Sequence, residues 1–103
     1  MRVLLIILTW LSVTVAAEIV VVDDNGQQVK LAGPAKRIVS LAPNITEVLF
    51  HIGAGEQIVG ADEYSNYPEA AKDILRVNNH AAANYELILS LEPDLVIAWQ
   101  SGN

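Results

Sequence analysis

Short apolar runs with no polar alternation recur from residue 37 onward: Arg37–Leu41 (RIVSL), Gln57–Ala61 (QIVGA), a briefer Leu75–Val77 and Asp94–Trp99 (DLVIAW). A strand with one wet face alternates apolar and polar residues, whereas a strand covered on both faces reads as a continuous apolar run. Helix-like patterns separate these runs, and strands alternating with helices predict an α/β fold, a short parallel sheet flanked by helices. Ligands of such sheets bind outside the carboxyl ends of the strands. That rule places four segments on one rim: Ala42–Asn44, Asp62–Tyr67, Asn78–Asn84 and Trp99–Asn103.

The connecting segments carry their own punctuation. Asn44-Ile45-Thr46-Glu47 reads as a capping box. Ile45, Val48, Leu49 and Ile52 follow at helical spacing, with Gly53 and Gly55 closing the helix where left-handed backbone is cheap. Pro68 opens a short helix over Glu69–Asp73. Asn84 caps a helix whose apolar stripe is Leu87, Ile88 and Leu91, and Pro93 stops it. Upstream, Glu18–Val22 and Val29–Leu31 flank Asp23-Asp24-Asn25-Gly26, the pattern of a β-hairpin. Gly33-Pro34 separates that hairpin from the rest.

Residues 1–17 read as a secretory leader. Met1-Arg2 is a short positive start, Val3–Val15 is mostly apolar, and Val15-Ala16-Ala17 puts small residues where a signal peptidase cuts. The run is too short for a transmembrane helix, which needs about 20 apolar residues, so no stable membrane insertion is expected. Trp10 leaves with the leader and belongs to no site. The expected organisation is 1–17 leader, 18–33 hairpin and 34–103 α/β unit. Removing Arg2 with the leader leaves five of the six basic residues against twelve acidic ones. With Lys36-Arg37 the only basic pair, nucleic acid is excluded as a partner. The chain has no cysteine, so it depends on a packed core rather than on disulfides. It also lacks a cysteine after the leader that could carry a lipid, which favours a free periplasmic protein.

No nucleophile elbow, phosphate loop or zinc-protease motif is present, and no catalytic residue is assigned. Ser40 lies in a strand without an evident base. His51 sits on a helix beside Ile52, which is expected to face the core. His80 lies in the rim loop as a solvated histidine, a ligand contact or a metal ligand; two distant histidines make a weak zinc case. Tyr64 and Trp99 stand where a strand hands over to the rim, and aromatic faces there suit a flat, bulky ligand. Trp99 could instead cap the core, and Tyr67, before Pro68, is read as fixing its loop. Pro43 and Asn44 share the rim with them. Glu86 falls in the first turn of its helix, where an acidic residue complements the helix dipole.

The stretches "RIVSLAPNITEVLFHIGAG", "ADEYSNYPEAAKDI" and "ILSLEPDLVIAWQSGN" resemble the periplasmic binding proteins of bacterial vitamin B12, haem and siderophore importers. The tyrosine-proline loop and the ending P-D-L-V-I-A-W-x-x-G-N lie nearest the cobalamin branch. The resemblance covers about two-thirds of the chain. It implies two α/β lobes joined by a long helix, of which this chain is the N-terminal lobe, a fragment without the second lobe. It implies a monomeric binding module without catalysis or cofactor, with a corrinoid as transported ligand and the permease subunits of an ABC importer as partner. On matching positions it makes Tyr64 the aromatic that packs on the corrin, Trp99 a lining residue of the same cleft and Glu86 a docking carboxylate for the permease. His80 departs from the pattern, standing where a cobalamin binder has tryptophan, near the metal-ligating tyrosine of haem binders. Haem or an iron–siderophore is therefore the rival ligand; an extracytoplasmic hydrolase or a sensory domain is the rival class.

Overall fold

The structure, a computed structural model, describes residues 17–79 and 82–99. The expected leader lies outside them save for Ala17. The chain divides after Gly33 into two units. In the first, β1 (Ile19–Val22) and β2 (Gln28–Leu31) pair antiparallel, with Ile19 opposite Leu31 and Val22 opposite Gln28. The acidic turn closes because the Asp23 carboxylate accepts from the backbone N–H of Asn25 and Gln27 at 2.9 and 2.8 Å, the local bond that makes aspartate a turn residue.

In the second unit β3 (Ile38–Ser40), β4 (Ile58–Asp62), β5 (Arg76–Asn78) and β6 (Leu95–Ile97) form one parallel sheet in the order β5-β4-β3-β6. Helix α1 (Pro43–His51) connects β3 to β4, and α2 (Tyr85–Ser90) connects β5 to β6. The expected parallel sheet, flanking helices and leading hairpin are all present. One face of the sheet packs Ile38, Leu49, Ile58 and Ala61, with Leu95 and Ile97 against them; the other packs Val39, Val77 and Ile88, with Leu87 and Leu91. The run DLVIAW is not covered on both faces. Val96 is 46% exposed on β6, the last strand in the sheet order, whereas α2 packs chiefly on β5.

Helix α1 differs from its sequence reading. It starts at Pro43, with Ala42 as an N-cap that offers no side-chain bond. Proline is accepted at the first helical position because its missing N–H would have no partner there, so the helix begins before Asn44 and the capping box does not form. Its inner face also shifts. Leu49 is buried, but Val48 and Ile52 are exposed, and the buried place one turn before Phe50 belongs to Thr46. Ile52 therefore does not give His51 a core-facing neighbour. Gly53 ends the helix at φ +85°, as expected, whereas Gly55 serves by being small: a Cβ there would run into the Phe50 ring. Glu69–Asp73 is a 3-10 helix with Pro68 as its N-cap. Asn84 does cap α2, its Oδ1 accepting from Leu87 N at 3.1 Å, and the helix ends at Ser90, before Pro93 is reached.

The amino ends of β3 and β6 are tied by one carboxylate. Asp94 Oδ2 and Oδ1 accept from the backbone N–H of Lys36 and Arg37 at 2.7 and 2.9 Å, and Asp94 N donates back to Arg37 O at 2.9 Å. These backbone donors, Lys36 first, hold the Asp94 carboxyl below the usual carboxylate range. A depressed folded value means that the bond stabilises above the unfolded range near about pH 4 and is lost as pH falls through the folded value. Replacing Asp94 by Asn should lower the melting temperature at neutral pH, and the gap from the parent should close in acid; a gap independent of pH would contradict this account.

Candidate functional site

From β3 the chain steps outward through β4 to β5, then crosses back to lay β6 on the other side of β3. The strand order thus reverses between β3 and β6, and open α/β sheets form a ligand crevice at such a switch point. A concavity of about 820 Å³ lies at these carboxyl ends. All four expected rim segments contribute. Leu41–Asn44 comes from the start of α1, Asp62–Tyr64 from the end of β4, and Asn78, Asn79, Ala82, Ala83 and Tyr85 from the β5–α2 connection, with Trp99 following β6. Pro43, Asn44, Tyr64 and Trp99 thus line one concavity. Trp99 is 51% exposed and lines the concavity.

The wall is held from behind by buried hydroxyls. Ser40, Thr46, Asp62 and Ser65 are at most 4% exposed. Ser65 Oγ bonds the Asp62 carboxylate, Thr46 Oγ1 lies 2.6 Å from Ser65 Oγ, and Ser40 Oγ lies 2.8 Å from Thr46 Oγ1. A carboxylate only accepts and a hydroxyl has one proton to donate. Ser65 donates to Asp62, which leaves Thr46 to donate to Ser65, and the Ala42 carbonyl is a second acceptor for Ser40 Oγ and Thr46 Oγ1, at 3.2 and 3.3 Å. The other oxygen of Asp62 accepts from Tyr64 N at 3.0 Å. One network therefore joins the end of β3, the first turn of α1, the end of β4 and the backbone of Tyr64.

The neighbouring loop is held by amides. Asn78 Oδ1 accepts from Glu63 N at 3.2 Å, Asn79 Oδ1 from Ala82 N at 3.1 Å, and Asn84 N donates to Val77 O at 2.7 Å. Arg76 Nη2 braces the other side of the Tyr64 loop through Ser65 O at 2.7 Å. Glu86 is exposed in the first turn of α2 and does not line the concavity. Tyr67 is 70% exposed and also outside it. His80 lies outside the described residues, as do Gln100–Asn103. Among the described residues no three His, Cys, Asp or Glu side chains are grouped to hold a metal, and no helix is long and apolar enough to cross a membrane. Sequence reasoning missed Tyr85 and the hydroxyl network. An aromatic directly after a capping asparagine was the available signal for the first; the second joins residues up to 25 positions apart and has no local signature.

Residues 38–102 match the family model described as periplasmic binding protein. The chain belongs to this family. It is 49% identical over 71 residues to the vitamin B12-binding protein of Vibrio campbellii, an alignment covering 69% of this chain and 26% of that protein. Among solved structures, the periplasmic vitamin B12 binding protein of Vibrio cholerae superposes with a TM-score of 0.66 at 51% identity, covering 68% of this chain and 28% of that one. The periplasmic haem-binding protein of Roseiflexus sp. RS-1 superposes with a TM-score of 0.61 at 39% identity, covering 68% and 27%. The chain spans about a quarter of the length of the curated relatives it matches.

Replacing Thr46 by Val keeps its shape, removes the middle hydroxyl and leaves Ser65 Oγ without its donor. The expected cost is about 1–3 kcal/mol of stability, read from urea denaturation, while Thr46→Ser should stay close to the parent. Equal stability of the Val variant and the parent would deny the network its structural role.

Proposed function

We propose that this chain contributes one wall of a corrinoid site in a periplasmic binding protein, which passes its cargo to the permease subunits of an ABC importer. The observation that carries the proposal is the chemistry of the concavity. Tyr64 and Trp99 offer aromatic faces, Asn44, Asn78 and Asn79 bring amides, Glu63 brings a carboxylate, and no Lys or Arg is among the described lining residues. A corrin ring edged with neutral amides can stack on the aromatics and donate N–H to oxygen acceptors. A haem with two propionates, or an anionic ferric siderophore, would set negative charge against Glu63 without a described lining cation to offset it. The relatives named for vitamin B12, at 49% and 51% identity, support the same choice.

On this reading the ring is cargo rather than a cofactor, and the protein catalyses nothing. It works in the periplasm as a monomer, exported by the leader. Affinity comes from burying a rigid ring against aromatic walls, at little ordering cost. Calorimetric titration of the full chain with cyanocobalamin should show binding that weakens on Trp99→Ala and that is tighter than binding of haemin. Tighter haemin binding, with a Soret shift abolished by His80→Ala, would overturn the corrinoid assignment in favour of haem.

Glu86 stands off the cargo surface on an exposed turn, and we assign it to docking on the permease. A surface carboxylate of this kind sets register and encounter more than raw affinity. In cells carrying the importer, Glu86→Ala should slow uptake of labelled cyanocobalamin and leave cargo binding as in the parent. Loss of both together would remove Glu86 from the docking role.

A further inference from the structure

Tyr85 is the most exposed of the large apolar side chains of the described residues, at 76%, and it lines the same concavity as Tyr64 and Trp99. A single exposed aromatic calls for no explanation. Three aromatics delivered to one concavity by three separate segments, after β4, at the start of α2 and after β6, form a patch.

The backbone under Tyr85 is fixed on both sides. Asn84 N donates to Val77 O at 2.7 Å, Asn84 O accepts from Ile88 N at 3.0 Å, and Asn84 Oδ1 caps Leu87 N at 3.1 Å. Ile88, in the same turn, is buried beside Val39 and Val77. The tyrosine is thus presented from a rigid turn, and a ligand meeting it has only two side-chain torsions to order. Residues adjacent in a helix do not share a face, being about 100° apart around its axis. Tyr85 lines the concavity and Glu86 does not.

We infer that Tyr85 is a third aromatic wall of the site and a specificity-determining residue, selecting ligands whose flat conjugated face is broad enough to meet it together with Tyr64 and Trp99. The inference rests on the function proposed above and deepens it. A macrocycle meets this requirement; a single small ring reaches one wall at a time. The role belongs to the ring and not to the phenolic hydroxyl, so phenylalanine preserves it.

The test is a cyanocobalamin titration of the isotope-labelled full chain followed by NMR, which registers weak binding and reports folding in the same spectrum. Four variants accompany the parent: Tyr85→Ala, Tyr85→Phe, Trp99→Ala, and Leu89→Ala as a comparably exposed apolar side chain outside the concavity. Binding should weaken by about tenfold for Tyr85→Ala, the scale of one aromatic wall. It should stay within about twofold for Tyr85→Phe and Leu89→Ala. Parent-like binding by Tyr85→Ala alongside weakened binding by Trp99→Ala overturns the inference and leaves the proposed function standing. Equal losses for Tyr85→Ala and Tyr85→Phe overturn the ring-stacking role. A parent chain whose spectrum is unmoved by cyanocobalamin overturns the proposed function and this inference with it.

Discussion

The bond from Ser65 to the Asp62 carboxylate gives the rest of the site its order. The carboxylate accepts from Ser65, Ser65 bonds Thr46 and Thr46 bonds Ser40, and through its second oxygen Asp62 holds the backbone of Tyr64. Four groups that would each be costly to bury alone are satisfied by one another. They join the carboxyl ends of β3 and β4 to the first turn of α1, so the positions of Pro43 and Tyr64 on the rim follow from a polar chain inside the protein.

The two ends of the sheet are held by different means. At the amino ends, the exposed Asp94 takes backbone N–H groups from the residues before β3, and apolar packing on both faces does the rest. At the carboxyl ends, where the concavity opens, apolar cover gives way and hydrogen bonds from side chains replace it. The Asn78, Asn79 and Asn84 bonds extend this to the β5–α2 loop. A ligand surface needs an open face with fixed walls, and walls that are not packed against anything must be fixed from behind.

Much of this was legible in the residues. Continuous apolar runs gave the parallel sheet, the asparagine before Tyr85 gave the start of α2, and the rule on strand ends gathered the four rim segments that meet in the concavity. What misled was local chemistry with two readings. Asn44 looks like a cap until Pro43 takes the first helical position, and Val48 and Ile52 fit an apolar stripe that Thr46, a polar residue, partly replaces. Val96 looked like core because the place of β6 at one end of the described sheet cannot be read from its own residues. The hydroxyl network was hidden because serine and threonine carry no pattern of their own, and only the fold shows which of them meet.

The crossing that puts β6 beside β3 also bears on how the sheet is assembled. Arg37 and Asp94 meet across 57 residues, whereas β3 reaches β4 through one helix. Closing a long loop has an entropic penalty that grows slowly with length but must be met before any of its contacts form. The central strand therefore keeps one open edge until the last strand arrives, and the shorter closure favours assembling the Tyr64 side of β3 before the Trp99 side.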